Sequence, residues 1–463
     1  MLRRGFIFVL AALLFPLAAE AGVFYPTTFT LDNGLEVVVV PNHLAPAVTQ
    51  MVWYKVGSAD EVPGKSGIAH YLEHLMFRGT KELGPGAFSK KIAAEGGNDN
   101  AFTSYDYTAF HETVAADRLA MAMKMEADRM QNLQIKPETA TPELSVVLDE
   151  RQQRTDNSPE GRFEEKLRAA LMPGYPYGIP VIGWKPEIEK LAAADAQDWY
   201  GRHYAPNNAV VVISGDVEPD AVKKLAGEIY GKIPRREVAP AKVFPALSDP
   251  AQRSLTMTDP EVDQPQLEWD AVMPSYATQK GGEAYALEVL QEALDGGEVG
   301  VLYRDLVAEQ GVSSGVATDY DPDARGAAVF AIALSPQPGK APKALAKALQ
   351  DELQKLAKAG LDAAAIDAAK KRLTRAAVFE RDGLIAPGYV FGEGLTTGHS
   401  VADIEAWPDR INAVTADQVN AALRDLAADP HSITGLLLPD TSLTPEARAA
   451  LRQPSISHGE SIR

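Results

Sequence analysis

A proline-rich segment near the middle of the chain limits the fold more than any other feature. Residues 233–253 contain four prolines and show neither helical nor strand periodicity. Such a composition is typical of a linker between domains. The sequence therefore predicts one domain at residues 24–232, a linker at 233–253, a second domain at 254–450 and a flexible tail at 451–463.

The two halves show the same order of predicted elements. In the first half, strand-forming runs flank Asn33-Gly34 as in a hairpin, and a strand at 49–56 precedes a helix at 66–77. In the second half, a strand at 266–272 precedes a helix at 283–294. Further helices are predicted at 117–133, 341–359 and 362–381, and a buried strand at 209–213. We expect two homologous α+β domains of the α/β-sandwich type, joined by the linker into a clam-like molecule.

Composition excludes one large class of function. Hydrophobic residues make up 46% of the 463 residues, which is enough for two cores. The formal net charge of -18 argues against nucleic-acid binding, because phosphates attract basic surfaces. The chain has no cysteine, so any zinc site must be built from histidine, aspartate and glutamate.

The N-terminus has the features of an export signal. Arg3 and Arg4 precede an apolar run at residues 5–18, and Ala19-Glu20-Ala21 forms a small-x-small cleavage site. The run is short for a membrane span, although an uncleaved anchor is the alternative. We expect a signal peptide at residues 1–21, used by general secretion or the twin-arginine route. The mature chain would be periplasmic, without stable membrane insertion.

A metal-binding motif stands in the predicted helix 66–77. It reads His70-Tyr71-Leu72-Glu73-His74, the H-x-x-E-H order of inverzincins. Residues four apart share a helix face, so His70 and His74 can bind one ion. Glu73 lies on the same broad face and can approach a metal-bound water. The alternative is a pair of surface histidines beside an acid.

A third ligand must come from elsewhere, because catalytic zinc usually has three protein ligands. His111 is one candidate, although its surroundings read as a strand. A helix predicted at Pro142–Arg154, with Thr141 as its N-cap, offers Glu143 and Glu150 instead. These carboxylates lie on one face about 10 Å apart, too far to bind one ion together. We expect one to be a ligand and the other to act behind the ligands, and helix geometry leaves the choice open.

These motifs resemble the insulinase/pitrilysin zinc metallopeptidases, in particular short bacterial members and the mitochondrial processing peptidase β subunit. The resemblance covers nearly the whole chain after the signal and is strongest at 31–35, 57–61, 67–80, 96–103 and 204–208. It implies that Glu150 is the third ligand of one Zn²⁺ per chain and that Glu143 assists catalysis. It also implies that Asn100 and Ala101 lie on a sheet edge, where a peptide binds as an added strand. Asn100 could otherwise be only a turn residue.

The sequence departs from the family at a second-half Arg/Tyr pair that completes active sites. Val301 occupies the arginine position and Ser314 the tyrosine position, and Arg304 is three residues out of phase. The resemblance therefore implies a zinc-dependent endopeptidase for peptides or unfolded segments that forms a heterodimer with a homologous, zinc-free subunit carrying the pair. The alternatives are a self-sufficient homodimeric peptidase and a non-catalytic zinc-containing peptide-binding subunit.

Overall fold

The computed structural model describes residues 22–245, 247–249, 253–428 and 431–442. The predicted signal peptide and tail lie outside these residues. The strands are β1 Thr27–Thr30, β2 Glu36–Pro41, β3 Ala47–Tyr54, β4 Asn98–Thr103, β5 Thr108–Ala115, β6 Ala209–Gly215, β7 Ser254–Asp259, β8 Gln266–Met273, β9 Ser313–Tyr320, β10 Ala328–Pro336 and β11 Ser432–Pro439.

The α-helices are α1 Ile68–Leu75, α2 Ala87–Ala94, α3 Leu119–Asn132, α4 Pro137–Arg151, α5 Pro159–Leu171, α6 Lys185–Ile188, α7 Ala193–His203, α8 Pro219–Ile229, α9 Glu283–Leu294, α10 Pro342–Ala359, α11 Ala363–Arg381, α12 Ala386–Thr397, α13 Val401–Glu405, α14 Trp407–Ala413 and α15 Ala416–Ala427. Two π-helical turns lie at Gln152–Asp156 and Tyr303–Glu309. Short 3₁₀ turns lie at Ser58–Asp60, Ala116–Arg118, Pro176–Gly178, Pro206–Asn208, Tyr230–Lys232 and Gly297–Val299. Within the described ranges, we find no helix with the length and apolar character that a membrane span requires.

The two halves contain sheets of the same topology, which confirms the predicted pair of homologous α+β domains. The first sheet has the order β1-β2-β6-β3-β5-β4, and the second has the order β7-β11-β8-β10-β9. In each sheet one pair is parallel, β2 with β6 and β7 with β11, and the remaining pairs are antiparallel. Each half has its own large apolar core on one face of its sheet. Within the described part of the chain, the second sheet lacks only a counterpart of β1.

The opposite face of each sheet is covered by a helix from the other half. Helix α12 of the second half packs on β3 and β6, and its Phe391 joins a core cluster with Trp53. Gly392 allows this approach, since a Cβ there would lie 2.0 Å from the Trp53 ring. Helix α5 of the first half packs on β11, β7 and β8 through Phe163 and Leu167. The halves are thus held together by exchanged helices as well as by the linker.

A buried ion-pair network also joins the halves. Arg325, in the second half, places its guanidinium 2.7 Å from the Asp60 carboxylate and 2.9 Å from the Asp106 carboxylate. Tyr177 donates a hydrogen bond to Asp106 at 2.5 Å. Both aspartates are nearly inaccessible, so Arg325 balances two negative charges that would otherwise lie uncompensated at the contact between halves.

Most predicted elements are confirmed, but the start of α4 was predicted incorrectly. The helix begins at Pro137 after Lys136, so Thr141 is not a cap and Pro142 lies inside the helix. Proline fits the first helical turn because its missing N–H has no intrahelical acceptor there. Two prolines five residues apart offered two such starts, and the chain uses the earlier one at the loss of one backbone hydrogen bond at Pro142. Glu143 therefore lies in the second turn of α4.

Candidate metal centre

The metal-binding motif lies on α1, whose first turn is fixed by the preceding loop. The helix starts after Gly67, which has a left-handed φ of 88° and no side chain to cap the helix. Glu61 takes over the cap, because its two carboxylate oxygens accept hydrogen bonds from the backbone N–H groups of Gly67 and Ala69, each at 2.9 Å. Helix α1 packs against α4, so its motif faces the second acid-bearing helix.

His70, His74 and Glu150 converge between these two helices. Glu150 Oε2 lies 3.2 Å from His74 Nε2 and 3.7 Å from His70 Nε2. One donor atom from each of the three residues lies within 4.8 Å of the others. Tetrahedral zinc with bonds of about 2.0–2.1 Å would separate its ligands by about 3.3–3.4 Å. Two imidazole nitrogens and a carboxylate oxygen at these spacings fit a zinc ion, both by chemistry and by geometry.

Protonation suits metal binding at His70 and Glu150. Burial lowers the pKa of His70 to about 4, so its imidazole is neutral at physiological pH. A hydrogen bond with His74 is the main cause that lowers the pKa of Glu150, and the carboxylate is therefore ionised. Neutral imidazole and ionised carboxylate are the forms that coordinate zinc. At His74, burial is outweighed by hydrogen bonds with Glu143 and Glu150, which raise the pKa to about 9, so a metal ion that binds there would displace a proton.

Glu143 lies behind the histidine pair rather than among the converging donors. Its Oε1 is 2.9 Å from His74 Nδ1, and its other oxygen forms an ion pair with Arg78. Burial opposes ionisation of Glu143, but these contacts with His74 and Arg78 outweigh it and lower its pKa. A carboxylate on the second ring nitrogen fixes the orientation and tautomer of a metal-binding histidine. The structure thus separates the two glutamates as the seven-residue spacing requires.

Glu73 lies beside this group and has a single hydrogen-bond donor in the described structure. Thr103, the last residue of β4, donates to Glu73 Oε2 at 2.6 Å. Burial raises the pKa of Glu73, which makes its carboxylate a better proton acceptor. Thr103 links the motif helix to the edge strand, and no local pattern in the sequence announces this contact.

Edge strand β4 borders the same cavity, which has a volume of about 530 Å³. Asn100 and Ala101 line it together with His70, Glu73 and Glu150. Asn100 Oδ1 accepts a hydrogen bond from the Ala101 backbone N–H at 2.9 Å. Among the strands that the structure describes, β4 pairs only with β5, so its other side is open to an added strand.

His111 is not part of the converging group. It lies on β5 opposite Asn100 and is buried there. It neither lines the cavity nor belongs to the three-residue group found among the described residues. The strand pattern around it explains why, since its side chain is fixed by the register of β5.

The second half places none of its described residues in the lining of this cavity, which runs from His70 to Ile182. Val301 is buried in the second-half core. Ser314 lies on β9, and its hydroxyl donates to the Ser335 carbonyl oxygen at 3.2 Å. Arg304 forms an ion pair with Asp305 at 2.7 Å. Among the described residues, the lining of this cavity therefore includes no arginine and no tyrosine from the second half.

Family models match both halves. The model described as insulinase (peptidase family M16) matches residues 36–185, and the model described as the peptidase M16 inactive domain matches residues 190–373. The zinc protease PqqE of Helicobacter pylori is 32% identical over 342 residues, which cover 74% of this chain and 77% of that protein.

This chain belongs to the insulinase family, peptidase family M16.

Two further comparisons agree with this membership. The mitochondrial-processing peptidase β subunit of Blastocladiella emersonii is 31% identical over 218 residues, 46% of this chain and 47% of that protein. The crystal structure of a protease from Helicobacter pylori superposes with a TM-score of 0.82 at 27% identity, covering 90% of this chain and all of that one. The resemblance read from the motifs is confirmed.

Proposed function

We propose that this protein is a zinc-dependent endopeptidase acting on peptides or unfolded protein segments. The observation that carries the proposal is the convergence of His70, His74 and Glu150 beside Glu73, in a cavity bordered by an open strand edge. These three residues would hold one Zn²⁺ per chain. When bound, zinc lowers the pKa of a coordinated water and polarises a carbonyl group.

The chain's own residues would contribute proton transfer and positioning. Glu73 accepts the proton of the attacking water and later donates it to the leaving amine, helped by the burial that raises its pKa. Thr103 holds the Glu73 carboxylate through one of its oxygens, which leaves the other free. Glu143 assists by holding His74 in one orientation. The peptide adds to β4 beside Asn100 and Ala101 through its backbone, which gives affinity with little sequence selectivity.

For the assembly, we favour a heterodimer whose partner brings the Arg/Tyr pair. The absence of second-half residues from the described cavity lining supports this choice. A self-sufficient homodimer is the second candidate, and a non-catalytic peptide-binding subunit is the third. Glu73 argues against the third, since a structural zinc site needs no base. Residues 1–21 support export to the periplasm, which protein sequencing of the mature N-terminus would test.

The zinc assignment is tested by metal content and peptide hydrolysis of purified variants. His70→Ala and Glu150→Gln should each lose most of the bound zinc and the activity. Glu73→Gln should keep the zinc and lose the activity, because it removes a base and no ligand. His43→Ala, at an exposed surface histidine, and Glu138→Gln, in the exposed first turn of α4, are matched controls. Full activity of Glu73→Gln would contradict the mechanism.

The assembly is tested by measuring peptide hydrolysis by the isolated chain and by its mixture with a homologous subunit. The isolated chain should cleave slowly, because a missing oxyanion donor costs on the order of a hundredfold in rate. A homologous subunit with the Arg/Tyr pair should restore the rate, and replacing that partner's tyrosine should remove the gain. Ordinary enzyme rates from the isolated chain would instead establish the self-sufficient form.

A further inference from the structure

The helix that carries Glu150 does not stop after it. α4 continues into the π-helical turn Gln152–Asp156, and this turn carries Arg154 four residues after Glu150. Arg154 Nη1 lies 2.9 Å from Glu150 Oε1, while Glu150 Oε2 faces the two imidazoles. π-helical turns are rare and concentrate at functional sites. The turn thus places a guanidinium directly beside the converging donors.

The side chain of Arg154 is more exposed to solvent than those of the arginines around it. Its side chain is 76% exposed, whereas that of Arg151 is 6% exposed and is held by Glu165 at 2.7 Å. The other cation lining the cavity, Arg78, is paired with the buried Glu143. A guanidinium has five N–H donors, and the ion pair of Arg154 with Glu150 uses a small part of them.

Arg154 also stands where the cleft continues toward the second half. Together with Thr155 and Val181, it lines both the metal-site cavity and an adjoining cavity of about 400 Å³. Strand β8 of the second half contributes Glu268 and Asp270 to this adjoining cavity. A peptide lying along β4 and extending toward the second half would therefore pass the guanidinium.

We infer that Arg154 is a substrate-binding residue that donates hydrogen bonds to a backbone carbonyl oxygen of the peptide. It would supply from the first half the cationic donor that the second half lacks at Val301, and it would keep its ion pair with Glu150 while doing so. The planar fork of arginine allows both contacts at once, whereas the ammonium of lysine is a point charge. This inference rests on the proposed peptidase function.

The inference is tested by peptide binding in proteins that also carry Glu73→Gln, so that the peptide is not cleaved during the measurement. The dissociation constant of a labelled unstructured peptide is measured by fluorescence anisotropy for the zinc-loaded single variant and for the double variant with Arg154→Lys. Charge-assisted hydrogen bonds are worth about tenfold or more in affinity, so the double variant should bind at least about tenfold more weakly. The matched control is Arg202→Lys, which changes a helix-surface arginine paired four residues away with Asp198. Its affinity should stay unchanged.

Measuring the zinc content distinguishes peptide binding by Arg154 from a role in which Arg154 only positions Glu150. Arg154→Lys keeps a cation beside Glu150 and should keep full zinc, so weaker peptide binding at unchanged zinc content supports the inference. Equal peptide affinity in the Arg154→Lys and Arg202→Lys variants overturns it. A loss of peptide binding that parallels a loss of zinc also overturns it, because Arg154 would then only position Glu150. Hydrolysis retained by Glu73→Gln, or no peptide binding by any variant, would reject the proposed function itself.

Discussion

The helices α1 and α9 occupy the same place in the two halves, yet only α1 carries the metal motif. Each follows an inner strand of its sheet, β3 or β8, and each begins after a left-handed glycine, Gly67 with φ 88° and Gly282 with φ 86°. Counted from these glycines, the positions of His70, Glu73 and His74 are taken in α9 by residues 285, 288 and 289. These residues are Tyr285, Glu288 and Val289.

Glu288, the acid of α9 that is equivalent to Glu73, has a different environment. Glu288 accepts a hydrogen bond from Trp407 Nε1 at 3.1 Å and another from the Tyr276 hydroxyl, so its oxygens are engaged within its own half. In the described structure Glu73 has one side-chain donor, and the cavity that it lines is also lined by the two histidines, whereas the cavity of about 560 Å³ that Glu288 lines includes neither of them. The comparison teaches that the duplicated scaffold alone does not make the site. A few side chains at equivalent positions, and the hydrogen bonds that the two acids accept, distinguish the two halves.

Replacing the equivalent acids gives the largest expected contrast. Glu73→Gln should lower the rate of peptide hydrolysis by about 10²–10⁴-fold, since it removes the general base. Glu288→Gln retains an acceptor oxygen for Tyr276 or Trp407 and does not line the metal-site cavity, so its rate should stay within about twofold of the wild type. Steady-state kinetics of the two variants measures this. Similar losses of rate in both variants would contradict the assignment of the general base to the first half alone.

The contact between the halves should respond strongly to Arg325→Ala. The change leaves the buried carboxylates of Asp60 and Asp106 without their counter-charge, which should lower the free energy of unfolding by about 3 kcal/mol. Arg202→Ala, which breaks a surface pair, should lower it by less than about 1 kcal/mol. Denaturant unfolding measures both values. A second, separate transition in Arg325→Ala would show that the network makes the two halves unfold together.

Glu143→Gln should produce a smaller and different loss than Glu73→Gln. The amide cannot balance charge on His74 and Arg78, so zinc affinity or activity should fall by about 10–100-fold. Competition with a chromogenic chelator measures the affinity, and the exposed Glu138→Gln serves as the control. Unchanged affinity together with unchanged activity would exclude a supporting role for Glu143.

The sheet faces that are covered by a helix from the other half offer the test with the smallest expected effect. β3 and β8 are equivalent strands of the two sheets. Three residues before its last residue, β3 has Met51, which lies under α12, and β8 has Asp270, which lies under α5. Burial raises the pKa of Asp270 to about 8, well above the value of about 3.9 in an unfolded chain. The folded state therefore holds a proton that the unfolded state releases between about pH 4 and pH 8, and this contribution to stability is lost as the pH rises through that window.

Asp270→Asn removes the titrating group. We expect the variant to match the wild type near pH 4 and to be more stable by about 1 kcal/mol near pH 8, because Glu268 beside it shares the effect of burial. Thermal unfolding at several pH values measures the difference. Asp198→Asn, on an exposed helix face, should show no such trend. A gain in stability that is equal at all pH values would point to packing rather than ionisation.

The sequence was informative wherever chain geometry alone decides. Spacing of four residues on one helix placed His70 and His74 together, and spacing of seven residues showed that Glu143 and Glu150 cannot both bind the same ion. Hydrophobic periodicity located α9 at its observed bounds of Glu283–Leu294. The capping signal failed at the start of α4, because Pro137 and Pro142 gave equivalent local signals and the helix begins at the earlier proline.

By itself, the sequence determined the duplicated α+β domains and the motif helix, since these depend on periodicity and on spacing within single elements, and the resemblance of its motifs to known proteins determined the family. The roles of the individual site residues and the heterodimer remain predictions. Only the tertiary structure decided the exchange of α5 and α12, the Arg325 network, the Thr103 contact with Glu73 and the position of Arg154 between two cavities. These contacts join residues from different elements, and their geometry follows from which faces pack together, which no local pattern encodes.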